Sequence, residues 1–404
     1  MKRQIRFREF DANQVIYKSP SVNYAKKSRN LNNNISYRIQ TDSEGYIVSG
    51  REFDPSKKVC LIGDSLVESM FVKQSSRWNS YLEKLFLQNN YLFKCFNAGY
   101  SGATSLNIFN TLVNKVFNQE FDAILYFVSS NDYAAISYDS SYWNLTKSHS
   151  NLSLESYINE DRNYTKTNVF HFEALIKSIY LTATSFHKSL YFATYPNLSN
   201  ERDMTIINRM LRDVCKNNNY PLFDMDKVFY DAEVSFESNF YDRRHLNNEG
   251  SVLFSTSLYD FFIREIPVSN DKITFHTKDM LHDIFVFNAD CRLLMLQDVC
   301  SNEVCKKVSL NFVFDVDNSE SNQNETLLVR LHFERLNSVK CINDIKYSDE
   351  LGWYFYVSVP KGKTLENSHF FEVSFIGKIS ISIENRIESP KATINSISLE
   401  TMYY

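Results

Sequence analysis

A chain of 404 residues is long enough for two or three domains, with a core that needs no disulfide or metal staple. With 43% hydrophobic and 23% charged residues it has the balance of an ordinary soluble globular protein, and a net charge of −4 supplies no basic stripe for nucleic acid. No apolar run is long enough to cross a membrane as a helix.

The chain opens MKRQIRFREFDANQ, which has no apolar core of a secretory signal, so the expected location is cytoplasmic. Residues 1–56 are polar and rich in Asn, with short extended pieces at 35–39 and 45–48. They read as a lead-in that packs on the next domain and not as a fold of their own.

From residue 57 to 266 the pattern alternates. Strands are expected at 59–63 (VCLIG), 92–97, 121–128, 190–194 and 221–224. Helices are expected at 77–89, 104–117, 168–186, 202–217 and 247–263. Alternating strands and helices with short links predict a doubly wound parallel sheet. Residues 133–167 interrupt the rhythm with a polar, aromatic-rich insertion, a length that in a compact domain often serves function. After Pro267 short β-branched and aromatic runs follow, at 284–288, 308–315, 327–333, 353–359, 370–375 and 379–384. These predict an all-β, sandwich-like domain over 267–404.

The seven cysteines are odd in number and scattered, and read as reduced, mostly buried thiols. Cys300 and Cys305 lie close together, but no second pair or His cluster completes a zinc site. The Asn-x-Ser/Thr sequons at Asn144 and Asn151 are read as chance in an Asn-rich chain.

Four short blocks could carry chemistry. Gly63-Asp64-Ser65-Leu66 follows the first strand, where a serine side chain enters the crevice at which open α/β sheets bind ligands. Asn97-Ala-Gly-Tyr-Ser-Gly102-Ala-Thr-Ser follows the second strand and spends two of the chain's nine glycines on one tight turn. Ser129-Ser130-Asn131-Asp132 follows the third strand and offers the Asn131 amide as a donor. Asp242-Arg-Arg-His245 precedes the last helix, and an aspartate three residues before a histidine can bind its Nδ1–H and leave Nε2 as a base. Each block alone also reads as ordinary cap or turn chemistry.

Taken in order, the four blocks resemble the SGNH hydrolase (GDSL esterase/lipase) superfamily over roughly residues 57–265. The stretch Asn-Ala-x-x-Ser-Gly-x-Thr-Ser matches that family's second block, which selects Gly102 over Gly99. The resemblance implies a three-layer α/β/α flavodoxin-like fold with no metal and no cofactor. It implies Ser65 as nucleophile, with Asp242 and His245 completing a triad. The Ser65 and Gly102 N–H groups and the Asn131 side chain are the implied oxyanion hole. One departure stands out: the family usually has glycine two positions before the asparagine, and this chain has Ser129. The β domain lies outside the resemblance.

Other residues get secondary readings. Tyr133, Trp143 and Arg244 are candidate substrate contacts, the aromatic rings for stacking on sugars and Arg244, beside Arg243, for an anionic group. Their bland alternatives are a packed lid and solvated cations. Asp64 is expected to hold the nucleophile turn. His149, His171, His187, His276, His282, His332 and His369 lack a suitably spaced carboxylate and read as structural or solvated. The expected partner is an acylated carbohydrate or other small ester. Two-domain relatives of this superfamily act on O-acetyl groups of bacterial polysaccharides, so an O-acetyl esterase is the leading expectation. An O-acyltransferase using the same triad and a non-catalytic glycan-binding or assembly protein are the alternatives.

Overall fold

The strands of a sheet covered on both faces must be apolar along their buried length, and the strand Lys57–Gly63 meets that demand from Val59 onward. Val59 and Leu61 face one core, Cys60 and Ile62 the other, all at 0–1% exposure. The computed structural model describes residues 4–164, 167–267, 274–281, 284–287, 293–299, 308–341, 345–387 and 390–403. It arranges five parallel strands in the order Phe93–Gly99, Lys57–Gly63, Ala123–Phe127, Leu190–Ala193, Leu222–Phe223. The order reverses beside the first strand in sequence, the switch point at which such sheets open a crevice.

The same two-residue alternation builds the three layers. Ala123, Leu125 and Phe127 join Val59 and Leu61 against helices Trp78–Gln88 and Asn248–Glu265. Ile124, Tyr126 and Val128 join Cys60 and Ile62 against Ser105–Thr111, Val169–Ser185 and Arg202–Asn218. The expected α/β architecture is therefore present, with element ends shifted by a few residues. One expected helix differs in kind. The run 104–117 is α-helical only over Ser105–Thr111 and then widens into a π-helical turn over Leu112–Val116, closed by Phe117 N–H donating to Leu112 O at 2.8 Å.

The C-terminal region is antiparallel, and its strands join into one eleven-stranded sheet together with two strands of the N-terminal segment. The expected strands at 370–375 and 379–384 are a single strand, Thr364–Asn385, and 327–333 is the start of Glu325–Cys341. Their mutual register shifts between Phe333 and Arg335 and again between Leu336 and Ser338, which bends the pair without ending it. Leu310, Phe312, Phe314, Phe355, Ile381 and Leu399 share one core under this folded sheet. Cys300 and Cys305 lie outside the described residues, while Cys60, Cys95 and Cys215 are free and buried.

The N-terminal segment packs more widely than expected. Ile47 bridges to Asn97 and lays the segment on the parallel sheet, although 45–48 forms no ladder. Ile35–Gln40 pairs with Val15–Lys18 on one side and with Thr364–Leu365 on the other, so the lead-in extends the β region as well. Gln4–Ile5 pairs with Leu152–Ser153 and pins the insertion.

The two large units meet through buried charge. Arg51 donates twice to Glu400, from Nε and Nη2, each at 2.7 Å, and from Nη1 to Ser80 O at 2.7 Å. Burial alone would raise the Glu400 carboxyl, but Arg51 holds it below the usual range. Lys73 pairs with Asp315 at 2.6 Å, and Ser75 N–H donates to Glu366 at 2.7 Å. Removing one member of a buried pair strands the other. Arg51→Ala should therefore lower the unfolding free energy by about 3–5 kcal/mol, read by urea titration of circular dichroism. A loss under about 1 kcal/mol would mean that the Arg51–Glu400 pair does not hold the units together.

Candidate active site

Asp64 ends the first parallel strand and caps the one-turn helix Ser65–Glu68, its Oδ1 accepting the Leu66 N–H at 2.9 Å. Ser65 is thereby the first helical residue, at the carboxyl end of a central strand. The turn stops at Ser69, whose φ is 52°. A Cβ at Gly99 would collide with the Val67 and Glu68 backbone, so this glycine lets the second strand close on the serine turn.

The other three blocks converge on the same place. Asn97 Nδ2 donates to Val67 O at 2.9 Å and its Oδ1 accepts the Gly99 N–H at 2.8 Å. Ser101 N–H donates to Glu68 Oε2 at 2.6 Å, and Ala103 O is 3.1 Å from Asn131 Nδ2. Gly102 is thus held between the serine turn and the asparagine turn, at φ 76°, a conformation that favours glycine. Among the described residues neither the Ser65 nor the Gly102 N–H donates to a protein acceptor.

Asp64 Oδ2 ties the third block in. It lies 3.0 Å from Ser129 Oγ, 2.8 Å from Ser130 N, 2.7 Å from Ser130 Oγ and 3.0 Å from Asn131 Nδ2. The departure at Ser129 has a use here: its hydroxyl lies between Asp64 and Ala103 O and accepts the Asn131 N–H at 3.0 Å. The Asn131 amide is directed at Asp64 and Ala103 O, so an oxyanion in this crevice would compete with those acceptors for one of its two hydrogens.

His245 approaches from the turn before the last helix. Its Nε2 is 3.0 Å from Ser65 Oγ, and its Nδ1 is 2.8 Å from Asp242 Oδ2. With Nδ1–H donated to the carboxylate, Nε2 is left to accept the Ser65 hydroxyl proton. Asp242 Oδ1 accepts the backbone N–H groups of His245 and Arg244, each at 2.7 Å, which fixes the Asp-x-x-His turn. Tyr241 stacks on the imidazole, centroids 5.5 Å apart and planes within 4°. Burial alone would raise the Asp242 carboxyl. The hydrogen bond and charge of His245, with the Tyr24 hydroxyl, outweigh it and hold the group well below the usual carboxylate range.

The candidate substrate contacts divide. Tyr133 is a correction: it is 6% exposed in the core beneath the insertion, its ring beside Tyr164, which leaves no free face for a sugar. Trp143 is 63% exposed, edge-on to His171. Arg244 is paired with Asp203 and Glu201 and lines a cavity of about 360 Å³ with Tyr24, Lys27, Phe236, Asp242 and Arg243. His149 and His369 are buried, and burial pushes them down to about 4 and about 3, so both are uncharged packing groups near neutral pH.

Sequence reading missed four residues around the site. Asn97 was visible in the second block but was given no role. Asp132, pushed up to about 7 chiefly by burial, accepts the Ser105 N–H at 2.7 Å and joins the second and third blocks. Arg8 is buried beside Gly102, within 2.7 Å of where a Cβ there would stand, and donates to Ser101 O at 3.1 Å. Tyr24 donates to Asp242 Oδ2 at 2.6 Å across 218 positions of sequence. No local pattern announces either of the last two.

With this geometry in view, residues 61–253 match the sequence profile of the GDSL-like lipase/acylhydrolase family. This segment belongs to that family. The SGNH resemblance of the sequence is thereby borne out, and the chain carries an ester-bond hydrolase domain. Solved structures similar to it include an acetyl xylan esterase, AlAXEase (15% identity, 51% of this chain, 100% of that chain, TM-score 0.39). A lipase/acylhydrolase from Enterococcus faecalis is similar at 16% identity, over 53% of this chain and 98% of that one, TM-score 0.38. The acetylxylan esterase Axe2 from Geobacillus stearothermophilus is similar at 16% identity, over 55% and 99%, TM-score 0.39. No curated protein matches the chain.

Asp64 accepts from Leu66, Ser130 and Asn131 and shares the Ser129 hydroxyl with Ala103 O, so its loss should be felt in the fold. Asp64→Ala should lower stability by about 2–4 kcal/mol, measured as a drop in the urea midpoint at unchanged m-value. An unchanged midpoint would show that the three turns hold together without the carboxylate.

Proposed function

We propose that the chain is a serine esterase that removes O-acyl groups, in the first place O-acetyl groups, from a carbohydrate. The unbroken line from Ser65 Oγ through the His245 ring to Asp242 carries this reading.

His245 Nε2 takes the Ser65 proton as Oγ attacks the ester carbonyl. The carbonyl π electrons move onto oxygen, whose charge is met by the Ser65 and Gly102 N–H groups and by the Asn131 amide. Collapse of this adduct breaks the bond to the alcohol oxygen, which leaves with the proton from His245. Water, deprotonated by the same nitrogen, then attacks the acyl-serine, and the carboxylic acid departs as Oγ recovers its proton. Asp242 keeps the ring oriented and balances the imidazolium at each stage. A sugar hydroxyl in place of water would turn the same steps into acyl transfer.

The carbohydrate part of the proposal is supported by the cavity beside Asp242. Its lining mixes guanidinium donors and carboxylate acceptors with Phe236, which suits hydroxyl groups on a ring better than a long acyl chain.

p-Nitrophenyl acetate should be hydrolysed by the wild type. Ser65→Ala should lower kcat by at least ~10³-fold, and Asp242→Asn should lower it by about 10³–10⁴-fold. Equal rates in wild type and Ser65→Ala would overturn the reading, as would the absence of turnover in both. Mass spectrometry of an acetylated oligosaccharide, alone and with an unacetylated acceptor, distinguishes hydrolysis from transfer.

A further inference from the structure

The hydrolase family match begins at residue 61, yet the carboxylate of its Asp-x-x-His pair is hydrogen-bonded by a residue far upstream of it. We infer that Tyr24 is a positioning residue for His245, acting through Asp242, and that the β region keeps it in place through Lys363. This inference rests on the triad reading given above.

The local geometry comes first. Asp242 Oδ2 receives two donors, His245 Nδ1–H at 2.8 Å and the Tyr24 hydroxyl at 2.6 Å. Oδ1 receives the two backbone N–H groups. Among the described residues the carboxylate is thus held by four donors, and Tyr24 supplies the one side-chain bond that does not come from its own turn. A rotation of the carboxylate that would misdirect the imidazole must break it. The Tyr24 ring forms a three-ring cluster with Phe71 and Tyr241, centroids 5.7 and 6.5 Å away, and Tyr241 is the ring that stacks on His245. Burial and the neighbouring carboxylate push the Tyr24 hydroxyl well above the usual phenol range, so it stays a donor throughout the working pH range.

The helix bearing Tyr24, Val22–Lys27, is only six residues long and cannot hold its position alone. Its two flanks are clamped by one side chain of the β region. Lys363 Nζ donates to Ser19 Oγ at 3.2 Å before the helix and to Asn33 O at 2.9 Å after it. Next along, Thr364 N–H donates to Asn34 O at 3.0 Å, where the two strands begin their parallel pairing. The β region therefore reaches the triad through this segment: Lys363, the loop carrying Tyr24, Asp242, His245.

Among the described residues the charged and titratable groups facing the Asp242–His245 pair are Tyr24, Lys27 and Arg29 from this segment, Tyr241, Arg243 and Arg244 from the pair's own turn, Glu201 and Tyr195. Tyr24→Phe removes only the hydroxyl and keeps the ring packing. With one donor fewer, the carboxylate is freer to rotate and the imidazole loses its alignment on Ser65.

The test uses the full chain and p-nitrophenyl acetate. Tyr24→Phe should lower kcat about tenfold with KM unchanged. Lys363→Ala should lower kcat about threefold in the wild-type background and have no further effect in Tyr24→Phe, since both act through one hydrogen bond. Tyr24→Phe with wild-type kcat, while Ser65→Ala is inactive, would overturn this inference and leave the triad reading standing. Multiplicative losses in the double variant would overturn the part assigned to Lys363. An active Ser65→Ala would instead bring down the triad reading itself.

Discussion

One carboxylate, that of Asp64, fixes the geometry on which the site depends. Its two oxygens receive the Leu66 N–H from the serine turn and, from the turn that contains Asn131, the Ser130 N–H and hydroxyl and the Asn131 amide, with the Ser129 hydroxyl shared with Ala103 O. Asp64 is 1% exposed, so these bonds form where water cannot substitute for them. The consequence is positional. Three loops leave three parallel strands at the same edge of the sheet, and a single buried charge sets their spacing. The Gly102 turn is drawn into the same arrangement through Ala103 O, and Gly99 lets it approach the serine turn without collision.

The second determinant comes from outside the family segment. The N-terminal segment runs along the site, and its contacts include Arg8 at the Gly102 turn, Lys18 at 3.6 Å from Glu68, and Tyr24 at Asp242. Arg8 and Lys18 both carry positive charge toward the end of the sheet where negative charge would develop on a carbonyl oxygen. Burial, with repulsion from Arg6, brings Arg8 down to about 10, which leaves it cationic near neutral pH. The same segment adds two strands to the β sheet, so the appended region and the site share a structural element.

Much of this was readable in the sequence, for identifiable reasons. Continuous apolar runs such as 59–63 mark strands buried on both faces, and the spacing of Trp78, Leu82 and Phe86 marks the helix that covers them. The four blocks were legible because each pairs a chemical group with the end of a strand or the start of a helix. What stayed hidden depends on long-range contact. The Tyr24–Asp242 bond joins positions 218 apart, and nothing local distinguishes Tyr24 from the chain's other tyrosines. The sharing of Ile35–Gln40 between Val15–Lys18 and Thr364–Leu365 is likewise invisible to periodicity. Tyr133 misled because an aromatic in a polar insertion looks available, whereas a helical turn over Asp132–Ile136 rotates it into the core.

The central claim is that His245 and Asp242 make Ser65 uniquely nucleophilic among the chain's many serines. Trapping with a fluorophosphonate, followed by peptide mass spectrometry, reads this directly, because the reagent phosphonylates an activated serine and spares ordinary ones. The account predicts one adduct per chain, on Ser65, and none in His245→Ala at matched folding. An adduct on another serine, or equal labelling with and without His245, would contradict it.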